Sequence, residues 1–90
     1  EFLLILPQTS LLAALNIAER IRERVETNRW SDELKGPVTV SIGLTQYNAG
    51  ESVLDLFSRS DTAMYLAKRG GRNQVVVEEP HVELWQNTTP

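Results

Sequence analysis

Asp61-Thr62-Ala63-Met64-Tyr65-Leu66-Ala67-Lys68-Arg69-Gly70-Gly71-Arg72-Asn73-Gln74-Val75 decides the fold of this chain. A helical stretch ends in Lys68 and Arg69, crosses two glycines, and delivers Arg72 just before the β-branched run Val75-Val76-Val77. Glycine favours the left-handed cap of a helix C-terminus, so the helix ends at Gly70 or Gly71 and a short strand follows. Upstream, Ser52-Val53-Leu54-Asp55 is a capping pattern with an acid at the third helical position, which predicts a helix from there to about Arg69. Val53, Phe57, Ser60, Met64 and Ala67 recur at alternating steps of four and three, with Leu56 and Ala63 widening that face. Asp61, Tyr65 and Lys68 share a neighbouring stripe.

Further upstream, Asn48-Ala49-Gly50 is a turn, and before it Val38, Val40, Ile42 and Leu44 alternate with Thr39, Ser41, Gly43 and Thr45. This period of two, rich in β-branched residues, predicts a strand over 38–44. Gly43 stands on its small, polar face, where a missing Cβ lets another backbone or a ligand come close. Gly36-Pro37 punctuates the loop over 29–37. Thr9 or Ser10 caps a helix over roughly 11–27, with Leu11, Leu15, Ala18, Ile21 and Val25 on its apolar face. Glu19, Arg20, Arg22, Glu23 and Arg24 form its salt-bridged wet side. Phe2-Leu3-Leu4-Ile5-Leu6, closed by Pro7, has the length of a strand buried on both faces. The order is β-α-β-α-β, an α+β arrangement whose strands pair in parallel only if a helix crosses over between them. From Glu78 the chain turns acidic and polar, so residues 78–90 read as a tail or linker, with Trp85 as a docking anchor.

The bulk numbers allow one small domain or part of a larger one: 90 residues, 41% hydrophobic and 23% charged. The net charge of −3 argues against a dedicated nucleic-acid binder. The absence of cysteine excludes a disulfide scaffold and a thiolate metal site. No apolar run approaches the ~20 residues that span a bilayer, and His81 alone builds no histidine metal site.

Two readings compete at the glycine-rich junction. Lys68 and Arg72 at a helix end complement its dipole and bond its free carbonyls. Alternatively they form an anion clamp. A helix C-terminus repels phosphate, so a phosphate there needs fixed cations, with Lys68 as a point charge and Arg72 as a planar fork. It is no Walker A loop, because the basic residues follow the helix instead of starting it. Glu1 is either an exposed terminal residue or a carboxylate suited to a divalent metal and a triphosphate. Asp61 reads as part of a solvated helix face. Met64 and Tyr65 read as core or rim packing, and Asn73 as a residue making local backbone hydrogen bonds beside the turn.

Three blocks together, Glu1-Phe2 before the apolar run ending Leu6-Pro7, Val38 to Leu44, and Asp61 to Asn73, resemble the C-terminal half of a GGDEF domain, the diguanylate cyclase family. The resemblance covers residues 1 to about 77 and makes Glu1-Phe2 the last two letters of the naming motif. It implies a ferredoxin-like, nucleotidyl-cyclase-like sheet and a cytoplasmic enzyme that joins two GTP into cyclic di-GMP. It also implies a homodimer in which each domain holds one GTP and Mg²⁺. Lys68 and Arg72 would contact the triphosphate, and Glu1 would belong to the metal and catalytic centre. The motif's glycines and third-position acid, the first strand and the guanine-recognising segments have no counterpart in these residues. The expectation is therefore half a cyclase domain, inactive alone and prone to associate through the edge of strand 2–6. The other expectation is a degenerate domain that binds nucleotide or a protein partner and only regulates.

Overall fold

The computed structural model describes residues 1–28 and 38–78. In chain order these form α1 (Leu11–Thr27), β1 (Ile42–Thr45), α2 (Val53–Arg69) and β2 (Val75–Glu78). Both helices start where a serine can cap them. Ser10 is extended and its Oγ accepts from the Ala13 N–H at 3.1 Å. Ser52 does the same for the Asp55 N–H at 3.0 Å. Each hydroxyl satisfies one of the amides that a helix start leaves without an internal partner.

β1 and β2 pair in parallel, with Ile42 opposite Val75 and Thr45 opposite Glu78. The Ile42 N–H donates to the Gln74 carbonyl at 2.9 Å, just ahead of the ladder. Parallel neighbours need a crossover, and α2 supplies it. The choice between parallel and antiparallel pairing, open in the sequence, is thereby decided.

Gly43 explains how α2 sits on β1. A Cβ built there would lie 2.2 Å from the Met64 nitrogen and 2.6 Å from the Ser60 carbonyl oxygen. The helix backbone therefore rests directly on the strand backbone, and it is another backbone, not a ligand, that uses the missing Cβ. So close a seat demands small residues above it. Ala63 and Ala67 are completely buried, while Val53 and Phe57, placed on the apolar face by their spacing, are exposed. The buried stripe is rotated toward the alanines because a larger side chain would hold the helix off the strand. On α1 the buried residues are Ala14 and Ala18, with Leu11, Leu15 and Val25 half-buried beside them and Ile21 exposed.

Residues 2–6 form no strand, and Phe2, Leu3, Leu4 and Ile5 are exposed. Their composition suits a buried strand, but a strand exists only against a hydrogen-bonded neighbour, and the described residues offer this segment none. The described order is thus α-β-α-β. For the same reason β1 begins at Ile42, not Val38: pairing starts where β2 runs alongside. Glu78 closes β2. Gly36-Pro37, Glu79, His81 and Trp85 lie outside the described residues.

Candidate active site

The C-terminal end of α2 closes as a Schellman motif. The Arg72 N–H donates to the Ala67 carbonyl at 3.0 Å and the Gly71 N–H to the Lys68 carbonyl at 3.5 Å. Gly71 takes the positive φ of +119° that this closure requires, while Gly70 remains at −78°. The turn then continues on the left-handed side: Arg72 has φ +63° and Asn73 φ +48°. Such values are uncommon for non-glycine residues, and asparagine accepts them more readily than arginine.

The Leu66, Ala67 and Lys68 carbonyls at this helix end are already taken. Leu66 O accepts from the Gly70 N–H at 2.9 Å, and Ala67 O accepts from Gln74 Nε2 at 2.8 Å as well as from Arg72. The capping role that helix-end cations often fill is therefore filled here by backbone amides and Gln74. Lys68 and Arg72 are exposed, and among the described residues neither side chain has a hydrogen bond or ion pair. Arg69 between them is occupied: its Nη1 donates to the Tyr65 hydroxyl at 3.1 Å, and its guanidinium carbon lies 5.7 Å from that ring's centroid. Tyr65 is exposed in this pairing instead of packing inward. Met64 is half-buried, and Asp61 is exposed without a partner among the described residues.

Asn73 does not make the local bonds expected of it. Its N–H donates to Ser41 Oγ at 3.1 Å, its Oδ1 accepts from Arg22 Nη1 at 3.1 Å, and its Nδ2 donates to Glu26 Oε2. The turn is thus tied to α1 and to the residue before β1. Arg22 anchors the α1 side, with Glu19 at 3.1 Å, Glu26 at 3.5 Å and Glu23 at 3.9 Å from its nitrogens. The hydrogen bond to Glu19, more than the neighbouring carboxylate charges, holds its guanidinium more firmly protonated than usual. The wet face read from the sequence is real, but its central cation also reaches across the molecule. The signal available in the sequence was an asparagine following Gly-Gly-Arg, a position suited to left-handed backbone. Its partners lie too far along the chain for any local pattern to mark them.

Glu1 is exposed and makes no hydrogen bond or ion pair with Lys68 or Arg72 among the described residues. The structure brings the two basic residues to one turn and does not join Glu1 to them. Among the described residues no three carboxylates or histidines gather as a metal site. A second polar cluster, not foreseen, lies at the other end of α2. Arg59 Nε donates to Glu51 Oε2 at 3.2 Å, and its Nη2 donates to Glu51 Oε1 and to the Gln46 carbonyl at 2.7 Å. Spacing gave no sign of this pair, since Glu51 precedes the helix and Arg59 lies within it.

A family model described as "Diguanylate cyclase, GGDEF domain" matches residues 1–74. The chain belongs to the GGDEF family. Among curated relatives of this GGDEF chain, diguanylate cyclase A of Treponema denticola is 42% identical over 81 residues, covering 88% of this chain and 22% of that protein. Diguanylate cyclase DgcM of Escherichia coli K12 is 45% identical over 76 residues, covering 84% and 18% respectively. Diguanylate cyclase DosC of the same strain is 35% identical over 88 residues, covering 96% and 18%. The GGDEF chain thus spans about a fifth of the length of these relatives. No solved structure matches it. Among the described residues no helix is long and apolar enough to cross a membrane.

Proposed function

We propose that residues 1–77 are the triphosphate-holding part of a cytoplasmic diguanylate cyclase domain, on a ferredoxin-like sheet, with residues 78–90 as its tail or linker. The reaction condenses two GTP into cyclic di-GMP. Each 3′-hydroxyl oxygen bonds the α-phosphorus of the other nucleotide as the bond to pyrophosphate breaks and the hydroxyl proton leaves. The observation that carries this reading is the pair of cations, uncommitted among the described residues, at a helix end whose Leu66, Ala67 and Lys68 carbonyls already have partners. Two such cations oppose the negative end of the helix dipole and give the spot a positive field. Arg72 supplies two parallel donors for phosphate oxygens and Lys68 a compact charge.

In this reading Glu1 contributes a carboxylate to the metal and catalytic centre. An oxygen donor of this kind suits Mg²⁺, which takes one or two carboxylates together with substrate phosphates. When bound, the ion offsets charge on the phosphates. Catalysis uses two domains facing each other, each holding one GTP. Attack on phosphorus depends mostly on positioning and charge stabilisation, which is what Lys68 and Arg72 offer.

The test is cyclic di-GMP formation from GTP by the purified full-length protein and by the 90-residue chain alone. The full-length protein is expected to form product, Glu1→Gln to slow it by about a hundredfold or more, and the 90-residue chain to form none. A full-length protein that makes no product overturns the cyclase reading. Product from the 90-residue chain, above a control carrying Lys68→Ala and Arg72→Ala, overturns its predicted dependence on the rest of the domain.

A further inference from the structure

We infer that Asn73 is a positioning residue: bonded to Ser41 through its N–H and to Arg22 and Glu26 through its side chain, it holds the left-handed turn that aims Arg72 at the phosphates. This rests on the phosphate role proposed above for Arg72. Arg72 has no side-chain partner among the described residues that would fix its direction. Its direction is set by the backbone, which stands at φ +63°, a region an arginine does not choose unaided. Residues in such conformations persist only where their surroundings over-determine them.

The surroundings here are pinned on both flanks. On one side Gly71 and the Arg72 N–H close the Schellman motif onto Lys68 and Ala67. On the other, Asn73 is bonded to two residues of α1 and to Ser41, and Gln74 returns to Ala67 through Nε2 and receives the Ile42 N–H at its carbonyl. Arg72 is the residue between these anchors. If Asn73 releases α1 and Ser41, Arg72 can relax toward ordinary right-handed backbone, and its Cβ direction swings away with the guanidinium at the end of a long lever. Asn73 itself touches no phosphate in this account and acts through Arg72.

A purely structural tie between α1 and the turn would predict the same bonds, so the test must read Arg72. GTP affinity is measured for the full-length protein and for Asn73→Gly, Arg72→Ala and the double variant, with melting midpoints alongside. Glycine keeps the left-handed turn permissible, removes the side-chain bonds to Arg22 and Glu26, leaves the N–H available to Ser41, and adds backbone freedom that Ser41→Ala does not. The expected result is GTP binding weakened about threefold to tenfold by Asn73→Gly, with no further loss when it is added to Arg72→Ala. Ser41→Ala is expected to weaken binding in the same direction and to lose its effect in the same background. It provides the comparison should Asn73→Gly fail to fold. A loss in Arg72→Ala but none in Asn73→Gly or Ser41→Ala overturns the positioning role and leaves the phosphate reading standing. So does a loss that persists undiminished in the Arg72→Ala background. Unchanged GTP affinity in Arg72→Ala overturns the phosphate reading, and the positioning role with it.

Discussion

The two ends of α2 use the same kind of charge in opposite ways. At the start, Arg59 is spent on structure: it is largely buried against Glu51 and the Gln46 carbonyl, and Glu51 also accepts the Asn48 N–H at 2.9 Å. The result is a clasp on the loop that links β1 to α2. At the finish, Lys68 and Arg72 are exposed and uncommitted among the described residues, while the Leu66, Ala67 and Lys68 carbonyls beneath them are bonded to backbone amides and Gln74. A structural cation comes with a carboxylate and a carbonyl within its reach. In the proposed reading, a cation held for a ligand stands on a hydrogen-bonded turn with no side-chain partner among the described residues.

The largest effect is expected between the two ends, where α2 meets β1. Gly43→Ala puts a methyl group within 3 Å of three backbone atoms of α2, which cannot move as a side chain could. The helix must lift off the strand, at about 3 kcal/mol or more. That would remove the common frame on which both ends depend. Thermal melts of the full-length protein should show it. An unchanged melting midpoint would mean that α2 does not sit on Gly43, and the comparison of its two ends would lose its geometric basis.

A smaller effect is expected from opening the clasp. The Arg59 hydrogen bond, followed by the bond from the Asn48 N–H, holds the Glu51 carboxyl below the usual carboxylate range. Its folded pKa then lies below its unfolded one, so the unfolded state binds more protons in the interval between them. The stability it contributes is present above about pH 4.3, the ordinary glutamate value. It is lost as pH falls through the lower folded value. Glu51→Gln should lower the melting midpoint near neutrality, and the gap to the parent should narrow as the solution is acidified. A gap that stays constant down to pH 3 would show that Glu51 carries no charge-dependent stabilisation, and the clasp would be no contrast to the free cations.

Much of this comparison was legible in the sequence. Thr9 or Ser10, and Ser52, mark the helix starts because capping is local chemistry, and the structure selects Ser10 of the first two. Gly70 and Gly71 mark the end of α2 because glycine turns there without strain, and the structure gives Gly71 the positive φ. Gly43 announced a close approach, and the structure supplied the partner. What the residues could not show depends on pairing over distance. Phe2 to Leu6 have strand composition, yet composition does not provide a neighbouring strand. Val53, Phe57, Ala63 and Ala67 share the face that helical spacing predicts, yet of these four the seat on Gly43 buries only the two alanines. Lys68 and Arg72 could be named from the sequence, but whether they capped the helix depended on where Gln74 and the Arg72 N–H went. Asn73 sits beside the turn, as its residue type suggests, but its side-chain partners Arg22 and Glu26 are distant in sequence and meet it only once α1 has packed.

The least effect on stability, and the most direct test, is expected at the free end. GTP titration by calorimetry into the full-length protein, with Lys68→Ala, Arg72→Ala and Glu51→Gln compared, separates the two uses of charge. Lys68→Ala and Arg72→Ala should each weaken GTP binding by about tenfold, as the loss of a charge-assisted phosphate contact would. They should leave the melting midpoint within about 3 °C of the parent. Glu51→Gln should lower the melting midpoint and leave GTP affinity within about twofold, a difference of less than about 0.5 kcal/mol. GTP affinity unchanged by both Lys68→Ala and Arg72→Ala would contradict the account, and those residues would be no more than helix-end charges.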